Sequence, residues 1–105
     1  MIFEYEELKE YVREDFTRFY FMKFTDEQIV NAVLNEYKYA PDYCFTEKVC
    51  IYIILAKIFI KYNLNQKLIV DRLNEIELQK WDDISNEIGL DWWKVDEDLC
   101  KIREL

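Results

Sequence analysis

The sequence predicts an all-α protein, a compact bundle of five or six helices around a central apolar helix at about 46–62. The chain has 105 residues but only one glycine and one proline, so it lacks the residues that form most hairpins and tight turns. Hydrophobic residues make up 51 % of the sequence, enough apolar surface to offset the chain entropy lost on folding. Many of them recur at the helical spacing of three and four positions. We therefore expect one folded domain, residues 1–105.

The first helix is predicted at about Glu4 to Met22. Its buried stripe repeats every three or four positions: Tyr5, Leu8, Val12, Phe16 and Phe19. A row of glutamates at four-residue spacing points away from that stripe: Glu6, Glu10 and Glu14. This segment therefore has one apolar and one acidic face, as is typical of a helix at the surface of a bundle.

The second helix has a local start signal. Thr25 and Gln28 have the spacing of a capping box, in which each side chain accepts a hydrogen bond from the other residue's backbone N–H. The apolar face that follows contains Ile29, Val30, Val33, Leu34 and Tyr37. We expect the helix to end before Pro41, because proline disfavours helical geometry at the residue before it.

The third helix is predicted to be the central one. Its apolar residues, from Val49 to Ile60, cover nearly the whole circumference, and a helix that is apolar all round must be enclosed by others. Thr46 or Asp42 is expected to be its N-cap. The run is long for a buried strand and has no second strand to pair with. It is also too short for a membrane span and contains Lys57.

A short link at 63–65 precedes a predicted fourth helix that reaches about Glu77 and turns Ile69, Leu73 and Ile76 inward. The last segment carries a long apolar stripe: Leu78, Trp81, Ile84, Ile88, Trp92, Val95, Leu99 and Ile102. Because this stripe keeps its phase across Gly89, we expect a continuous or mildly kinked helix. The alternative is two nearly collinear helices, with Gly89 ending the first and Asp91 capping the second.

The charge is negative at both ends of the chain. The net charge is −8, from 22 acidic and 14 basic residues. Residues 1–45 and 81–105 each carry −5, whereas the apolar middle, 46–80, carries +2. Such a surface disfavours nucleic acid and anionic membranes as partners and favours a basic protein, although acidity also serves solubility.

The composition also limits the chemistry. There is no histidine, which removes Cys–His nucleophiles and the Glu-x-x-His ligands of di-iron bundles. Cys44, Cys50 and Cys100 are odd in number and lack metal-ligand spacing, so we expect reduced, mostly buried thiols in a cytoplasmic protein. The first residues lack the basic and apolar regions of an export signal. We expect no catalytic residue, no cofactor and no metal.

One pattern is typical of an enzyme. Helical nucleotide pyrophosphohydrolases hold magnesium with an EExxE helix and an ExxD on a second helix, because the ion needs several converging carboxylates. Glu6, Glu7 and Glu10 match the first part, but no ExxD occurs in the chain. A magnesium-dependent pyrophosphohydrolase is therefore a lesser alternative. Another is an acidic nucleic-acid mimic that inhibits a defence nuclease.

The candidate binding residues lie on the last helix. The eighteen aromatic residues exceed what a small core needs, so some are expected at the surface, where tryptophan and tyrosine often anchor interfaces. Positions i, i+4, i+7 and i+11 form one line away from the apolar stripe: Trp93, Glu97, Cys100 and Glu104. A tryptophan held among carboxylates resembles an interface hot spot. If the helix is continuous, Asp82 joins this line. Further acids are expected to extend the surface on the other flank: Asp83, Glu87 and Asp98.

Each aromatic group also has a structural interpretation. Packing against a neighbouring helix explains Trp93 equally well, and Trp81 and Trp92 are assigned to the core. A second cluster surrounds Pro41 and either extends the binding surface or closes the end of the bundle: Tyr37, Tyr39, Asp42 and Tyr43.

Four segments occur in an order that points to one family: Tyr5-Glu6-Glu7-Leu8, the helix end at Glu36-Tyr37, the apolar run at 49–56, and Lys80-Trp81-Asp82-Asp83. This order resembles an all-helical family of immunity proteins that are encoded beside polymorphic and contact-dependent bacterial toxins and have a tryptophan after the fourth helix. The resemblance implies a cytoplasmic protein that binds and neutralises a cognate toxin effector domain without catalysis. Trp81 would then mark the family.

The expected partner follows from the resemblance and the charge. Many such toxins are basic nucleases, and an acidic inhibitor gains association rate and specificity from charge complementarity. The expected contacts with the toxin are Trp93, Glu97, Glu104, Asp82 and Asp83. We expect a monomer or weak dimer, with neither nucleic acid nor membrane as a partner.

Overall fold

The protein is described by a computed structural model that covers residues 4–38 and 43–104. Within these ranges it contains six α-helices and no strand. The helices are α1 (Tyr5–Phe21), α2 (Asp26–Tyr37), α3 (Phe45–Lys61), α4 (Lys67–Asn74), α5 (Leu78–Ile88) and α6 (Trp92–Arg103), with a 3₁₀ turn at Gly89–Asp91. The predicted all-α bundle is confirmed.

Helix α3 is the centre of the bundle, as its all-round apolar sequence predicts. It packs against each of the other five helices. Its residues from Val49 to Ala56 are all buried, and so is Phe59. Neither α3 nor any other helix in the described part of the chain is long and apolar enough to cross a bilayer.

The starts of α1 and α2 agree with their sequence signals. All five residues of the predicted α1 stripe are buried. At α2 the Thr25 hydroxyl accepts a hydrogen bond from the Gln28 backbone N–H at 3.2 Å. The Gln28 side chain accepts one from the Thr25 backbone N–H at 2.9 Å. The predicted capping box is therefore present.

Two helices end in the left-handed conformation without glycine. Lys23 follows α1 with φ 63°, and Asn63 follows α3 with φ 61°. After α1, the Phe24 N–H donates to the Phe19 carbonyl at 3.2 Å, and the two rings stack at 5.3 Å. This is the Schellman arrangement, with the apolar contact that accompanies it. The same hydrogen-bond pattern closes α3.

The predicted N-cap of α3 is wrong for Thr46. Cys44 occupies the N-cap position and its side chain makes no capping hydrogen bond. Thr46 lies in the first turn, where its hydroxyl donates to the Glu87 carboxylate of α5. The other candidate, Asp42, lies outside the described residues. The local pattern failed because the Thr46 hydroxyl is satisfied by a helix that is distant in sequence.

The expectation of a continuous last helix is also wrong. Gly89 ends α5 with φ 73° and ψ −127°, a conformation that residues with a Cβ rarely adopt. The 3₁₀ turn follows before α6 begins. The alternative assigned Gly89 correctly, but the Asp91 side chain makes no capping hydrogen bond. Leu78, placed in the stripe, begins α5 and is 86 % exposed, so it does not belong to the core.

Helix α4 is shorter than predicted. It begins at Lys67 and ends at Asn74. Its two predicted core residues, Ile69 and Leu73, are buried. Ile76 lies beyond the helix end and packs against the core while partly exposed.

Candidate partner-binding surface

One face of helix α6 is packed against the core. Val95, Leu99 and Ile102 are buried on that side and pack with the rest of the hydrophobic core. With about 3.6 residues per turn, the positions between them point the other way. The sequence therefore fixes which side chains α6 presents to solvent.

A buried carboxylate holds α6 in this rotation. Asp98 is only 4 % exposed and joins three helices. The Tyr5 hydroxyl donates to its Oδ2 at 2.8 Å, and Lys57 Nζ donates to its Oδ1 at 2.8 Å. Lys9 Nζ lies 3.3 Å from Oδ2. Asp98 was expected to extend the acidic surface, and that expectation is wrong because these non-local partners bury it.

The environment of Asp98 favours its ionised form. Burial raises the pKa of Asp98, but the hydrogen bonds from Lys57 and Tyr5, with the charges of Lys57 and Lys9, lower it by more. The pKa therefore lies below its ordinary value. Burial also raises the pKa of Tyr5, and the negative charge of Asp98 raises it further. Tyr5 thus stays protonated and keeps donating its hydrogen bond.

Trp81 and Trp92 connect α5 with α6. Their ring centroids are 6.4 Å apart at 47°, and both rings pack against the core while partly exposed. The Arg103 guanidinium lies 5.2 Å from the centroid of the Trp81 ring, within cation–π range. The assignment of these two tryptophans to the core packing is thus supported.

Trp93 lies on the opposite side of α6 and is 63 % exposed. The other three residues of its line are exposed as well: Glu97, Cys100 and Glu104. The alternative that Trp93 packs against a neighbouring helix is wrong. Three positions before it, in the 3₁₀ turn that precedes α6, Leu90 is 95 % exposed. We call Leu90, Trp93, Glu97, Cys100 and Glu104 the α6 face.

The charge of the α6 face is mixed. Lys94 Nζ lies 5.7 Å from the Trp93 ring centroid and 4.0 Å from Asp91 Oδ1. Lys101 Nζ lies 3.2 Å from Glu97 Oε1. Lys94 thus lies beside the tryptophan, and Lys101 lies beside the nearest glutamate of its line. The local surface is less acidic than its glutamates alone suggest.

The other predicted acids are divided by the break at Gly89. Asp82 and Asp83 are exposed on α5. The alignment of Asp82 with Trp93 required a continuous helix, and the break at Gly89 removes the basis for it. Glu87 accepts hydrogen bonds from the Thr46 hydroxyl and from Cys44 Sγ at 3.6 Å. It therefore ties α5 to the start of α3.

The tyrosines near Pro41 are partly described. Tyr37 and Tyr43 are half-buried and pack against the core. Burial raises the pKa of Tyr37, and the charge of Asp15 and a hydrogen bond with it raise it further. Tyr39 and Asp42 lie outside the described residues. The two described tyrosines favour the interpretation that this cluster closes the bundle.

The cysteines differ in environment. None of the three forms a disulfide. Cys50 is buried, Cys44 is half-buried and Cys100 is exposed. The expectation of mostly buried thiols is wrong because Cys100 lies on the outward side of α6.

The glutamates of the EExxE pattern are exposed on α1. Glu6 lies 3.5 Å from Lys9, and Glu10 pairs with Arg13. Across residues 4–38 and 43–104, no three potential ligands of the His, Cys, Asp and Glu types are grouped to hold a metal ion.

A basic cleft between α1 and α3 was not predicted from the sequence. Its cavity of about 210 Å³ is lined by Lys9, Arg13, Ile54, Lys57, Ile58, Lys61, Tyr62 and Asp98, and we call it the α1–α3 cleft. The available signal was the four-residue spacing within two pairs, Lys9 with Arg13 and Lys57 with Lys61. The net charges of segments 1–45 and 46–80 do not indicate the cleft, because one pair lies in each segment.

Comparison with protein families, curated proteins and solved structures finds no match for this chain. The side chains described above are therefore the basis on which a function is proposed.

Proposed function

We propose that this protein is a non-catalytic immunity protein that binds a bacterial toxin effector domain through its α6 face. One observation carries the choice of surface. Trp93 is 63 % exposed on a helix whose other side is buried. Tryptophan is among the residues most enriched at interface hot spots, and its indole offers a large apolar contact area at little cost in side-chain entropy.

The rigidity of α6 supports this surface. Asp98 is bound by side chains from α1 and α3, and the Trp81–Trp92 contact holds α5 beside α6. A partner would therefore meet Trp93 on a helix that is already ordered. Such preorganisation reduces the conformational entropy lost on binding.

The charge of the protein supports a basic partner. A net charge of −8 attracts a cationic domain over long range and raises the association rate. Glu97 lies one helical turn after the tryptophan and Glu104 lies at the end of the same line, and both would face basic side chains of the partner. On binding, Glu97 would give up its exposed ion pair with Lys101 and pair with a basic side chain of the partner. The loss is small, because such surface pairs contribute only about 0.3–0.5 kcal/mol.

Co-expression with the toxin tests the proposal. The proposal predicts a toxin gene immediately upstream, and its effector domain is expressed in bacteria together with this protein. The wild type should restore growth, and the double variant Trp93→Ala/Glu97→Ala should not. Phe21→Ala/Glu27→Ala is the matched control, because both residues are exposed on other helices. Full protection by the Trp93 variant, folded and at wild-type abundance, would overturn the choice of surface.

The two alternatives predict different behaviour. A magnesium-dependent pyrophosphohydrolase would hydrolyse nucleoside triphosphates, and Glu7→Gln would abolish the activity. A nucleic-acid mimic would compete with DNA for a nuclease, and its affinity would fall steeply with salt. An immunity protein should show no turnover, and Trp93→Ala should weaken its binding at every salt concentration.

A further inference from the structure

The α1–α3 cleft brings four of the chain's 14 basic side chains to one cavity. Lys9 and Arg13 are one helical turn apart on α1, and Lys57 and Lys61 are one turn apart on α3. The two helices pack against each other, so both pairs border the same space. Like charges placed together repel, and a protein with a surplus of carboxylates does not need this arrangement for solubility.

Asp98 is the acidic residue that lines this cavity, and its oxygens are already occupied. They accept hydrogen bonds from Tyr5 and Lys57, and Lys9 lies within 3.3 Å. One buried carboxylate thus fixes two of the four lysine and arginine head groups. It carries a single negative charge, and Lys9 also lies 3.5 Å from the exposed Glu6.

Arg13 and Lys61 are the head groups that remain available. Arg13 pairs with Glu10 one turn earlier, and both side chains are 61 % exposed. Exposed ion pairs of this kind contribute little to stability, so an incoming anion would easily displace Glu10 from Arg13. Lys61 is exposed and forms no ion pair with any residue in the described ranges.

One wall of the cleft is apolar. Ile54, Ile58 and Tyr62 line it at four-residue spacing along α3. The Tyr62 ring is held 5.1 Å from the Phe16 ring. Ile54 is already buried, whereas Ile58 and Tyr62 are partly exposed. An inorganic ion would leave their exposed parts in water, whereas an apolar group attached to the anion would cover them. A cavity of about 150 Å³ holds a benzene ring, so about 210 Å³ admits a ring with a small charged group.

We propose that the α1–α3 cleft binds a small organic anion. Its phosphate or carboxylate group lies between the Arg13 guanidinium and the Lys61 ammonium. Its apolar part lies against Ile54, Ile58 and Tyr62. Arg13 offers the paired donors that suit either oxyanion. This site is separate from the α6 face and does not depend on the function proposed for that face.

Titration of the ¹⁵N-labelled full chain with phenyl phosphate tests the proposal by amide chemical shifts. Saturable shifts are expected in α1 around 9–13 and in α3 around 54–62. Arg13→Gln/Lys61→Gln should weaken binding by about three- to tenfold. Lys23→Gln/Lys67→Gln is the matched control, because it removes the same charge from exposed positions on other parts of the surface. The control should bind like the wild type.

Benzoate and inorganic phosphate complete the experiment. If benzoate binds more tightly than phenyl phosphate, the group recognised is a carboxylate, and the reverse order assigns a phosphate. Either order supports the proposal. Inorganic phosphate that binds as tightly as phenyl phosphate would overturn it, because the apolar wall would then contribute nothing. The absence of saturable shifts, or equal weakening by both double variants, would also overturn it.

Discussion

The Tyr5 hydroxyl donates a 2.8 Å hydrogen bond to Asp98, which joins the first helix to the last across 93 positions. Lys57 of the central helix binds the other carboxylate oxygen. Together with the buried Val95, Leu99 and Ile102, Asp98 therefore fixes how α6 is rotated against α1 and α3. The same rotation turns Trp93 to solvent, so the stability of this contact and the presentation of the α6 face are linked.

Replacing Asp98 should destabilise the protein in a pH-dependent way. At pH 7, Asp98→Asn should lower the free energy of unfolding by about 1–3 kcal/mol, because hydrogen bonds to a charged acceptor are lost. The folded pKa of Asp98 lies below its ordinary 3.8, so its contribution is complete above that value. It is lost as the pH falls through the folded pKa. Urea unfolding of both proteins between pH 7 and pH 2 measures the difference.

Tyr5→Phe is the control for this prediction. It removes one hydrogen bond but leaves the Asp98 charge and the Lys57 contact, so its cost should be smaller, about 1 kcal/mol. A wild-type advantage over Asp98→Asn that stays constant down to pH 2 would contradict the assigned pKa direction.

Gly89→Ala separates a broken last helix from a continuous one. A Cβ at Gly89 would meet no atom within 4 Å, so space is not the obstacle. The backbone angles of Gly89, φ 73° and ψ −127°, are unfavourable for alanine, and we expect a loss of about 1–3 kcal/mol in the free energy of unfolding. In a continuous helix the same change would instead add about 1 kcal/mol. Thermal unfolding thus distinguishes the two helix geometries, because Gly89→Ala lowers the stability of a broken helix and raises that of a continuous one.

The left-handed helix ends predict a stabilising substitution. Lys23 has φ 63°, which costs a residue with a Cβ about 1 kcal/mol. Lys23→Gly should therefore raise the free energy of unfolding by about 0.5–1 kcal/mol. Asn63→Gly should gain less, because asparagine tolerates this conformation better. Glu14→Gly, within α1, should lose about 1 kcal/mol, and a similar loss in Lys23→Gly would contradict the Schellman assignment.

Local signals account for the parts of the fold that the sequence predicted. The Thr25–Gln28 capping box depends on four consecutive residues, and the enclosed position of α3 follows from its own apolar circumference. The break at Gly89 was missed because α5 and α6 both turn an apolar side inward. Ile88 and Trp92 are four positions apart in the sequence, which is also the spacing within one helix, although the 3₁₀ turn separates them.

In the candidate sites, too, local sequence predicts some features, whereas features that depend on distant residues are not predicted. The exposure of Trp93 follows from its position opposite Val95 and Leu99, which a helical wheel shows. The burial of Asp98 depends on Tyr5 and Lys57, which lie 93 and 41 positions away. No pattern within α6 identifies those partners. The α1–α3 cleft was missed for the same physical reason, since its cations come from two helices that meet only in the folded protein.

The three thiols should react at different rates. Burial raises the pKa of Cys50 to about 12, so almost no thiolate is present at pH 8. Cys100 is exposed and should react with iodoacetamide first, followed by the half-buried Cys44. Mass spectrometry of the folded protein over time measures this order, and unfolding in urea should allow all three to react. Rapid modification of Cys50 in the folded protein would contradict its placement.

The affinity of the α6 face for the toxin domain tests the central claim most directly. Isothermal titration should compare the wild type, Trp93→Ala/Glu97→Ala and the control Phe21→Ala/Glu27→Ala, each with retained helical circular dichroism. Loss of a tryptophan hot spot costs about 2 kcal/mol or more, so the Trp93 variant should bind at least about thirtyfold more weakly, while the control binds like the wild type. A Trp93 variant within about threefold of wild-type affinity would contradict the claim.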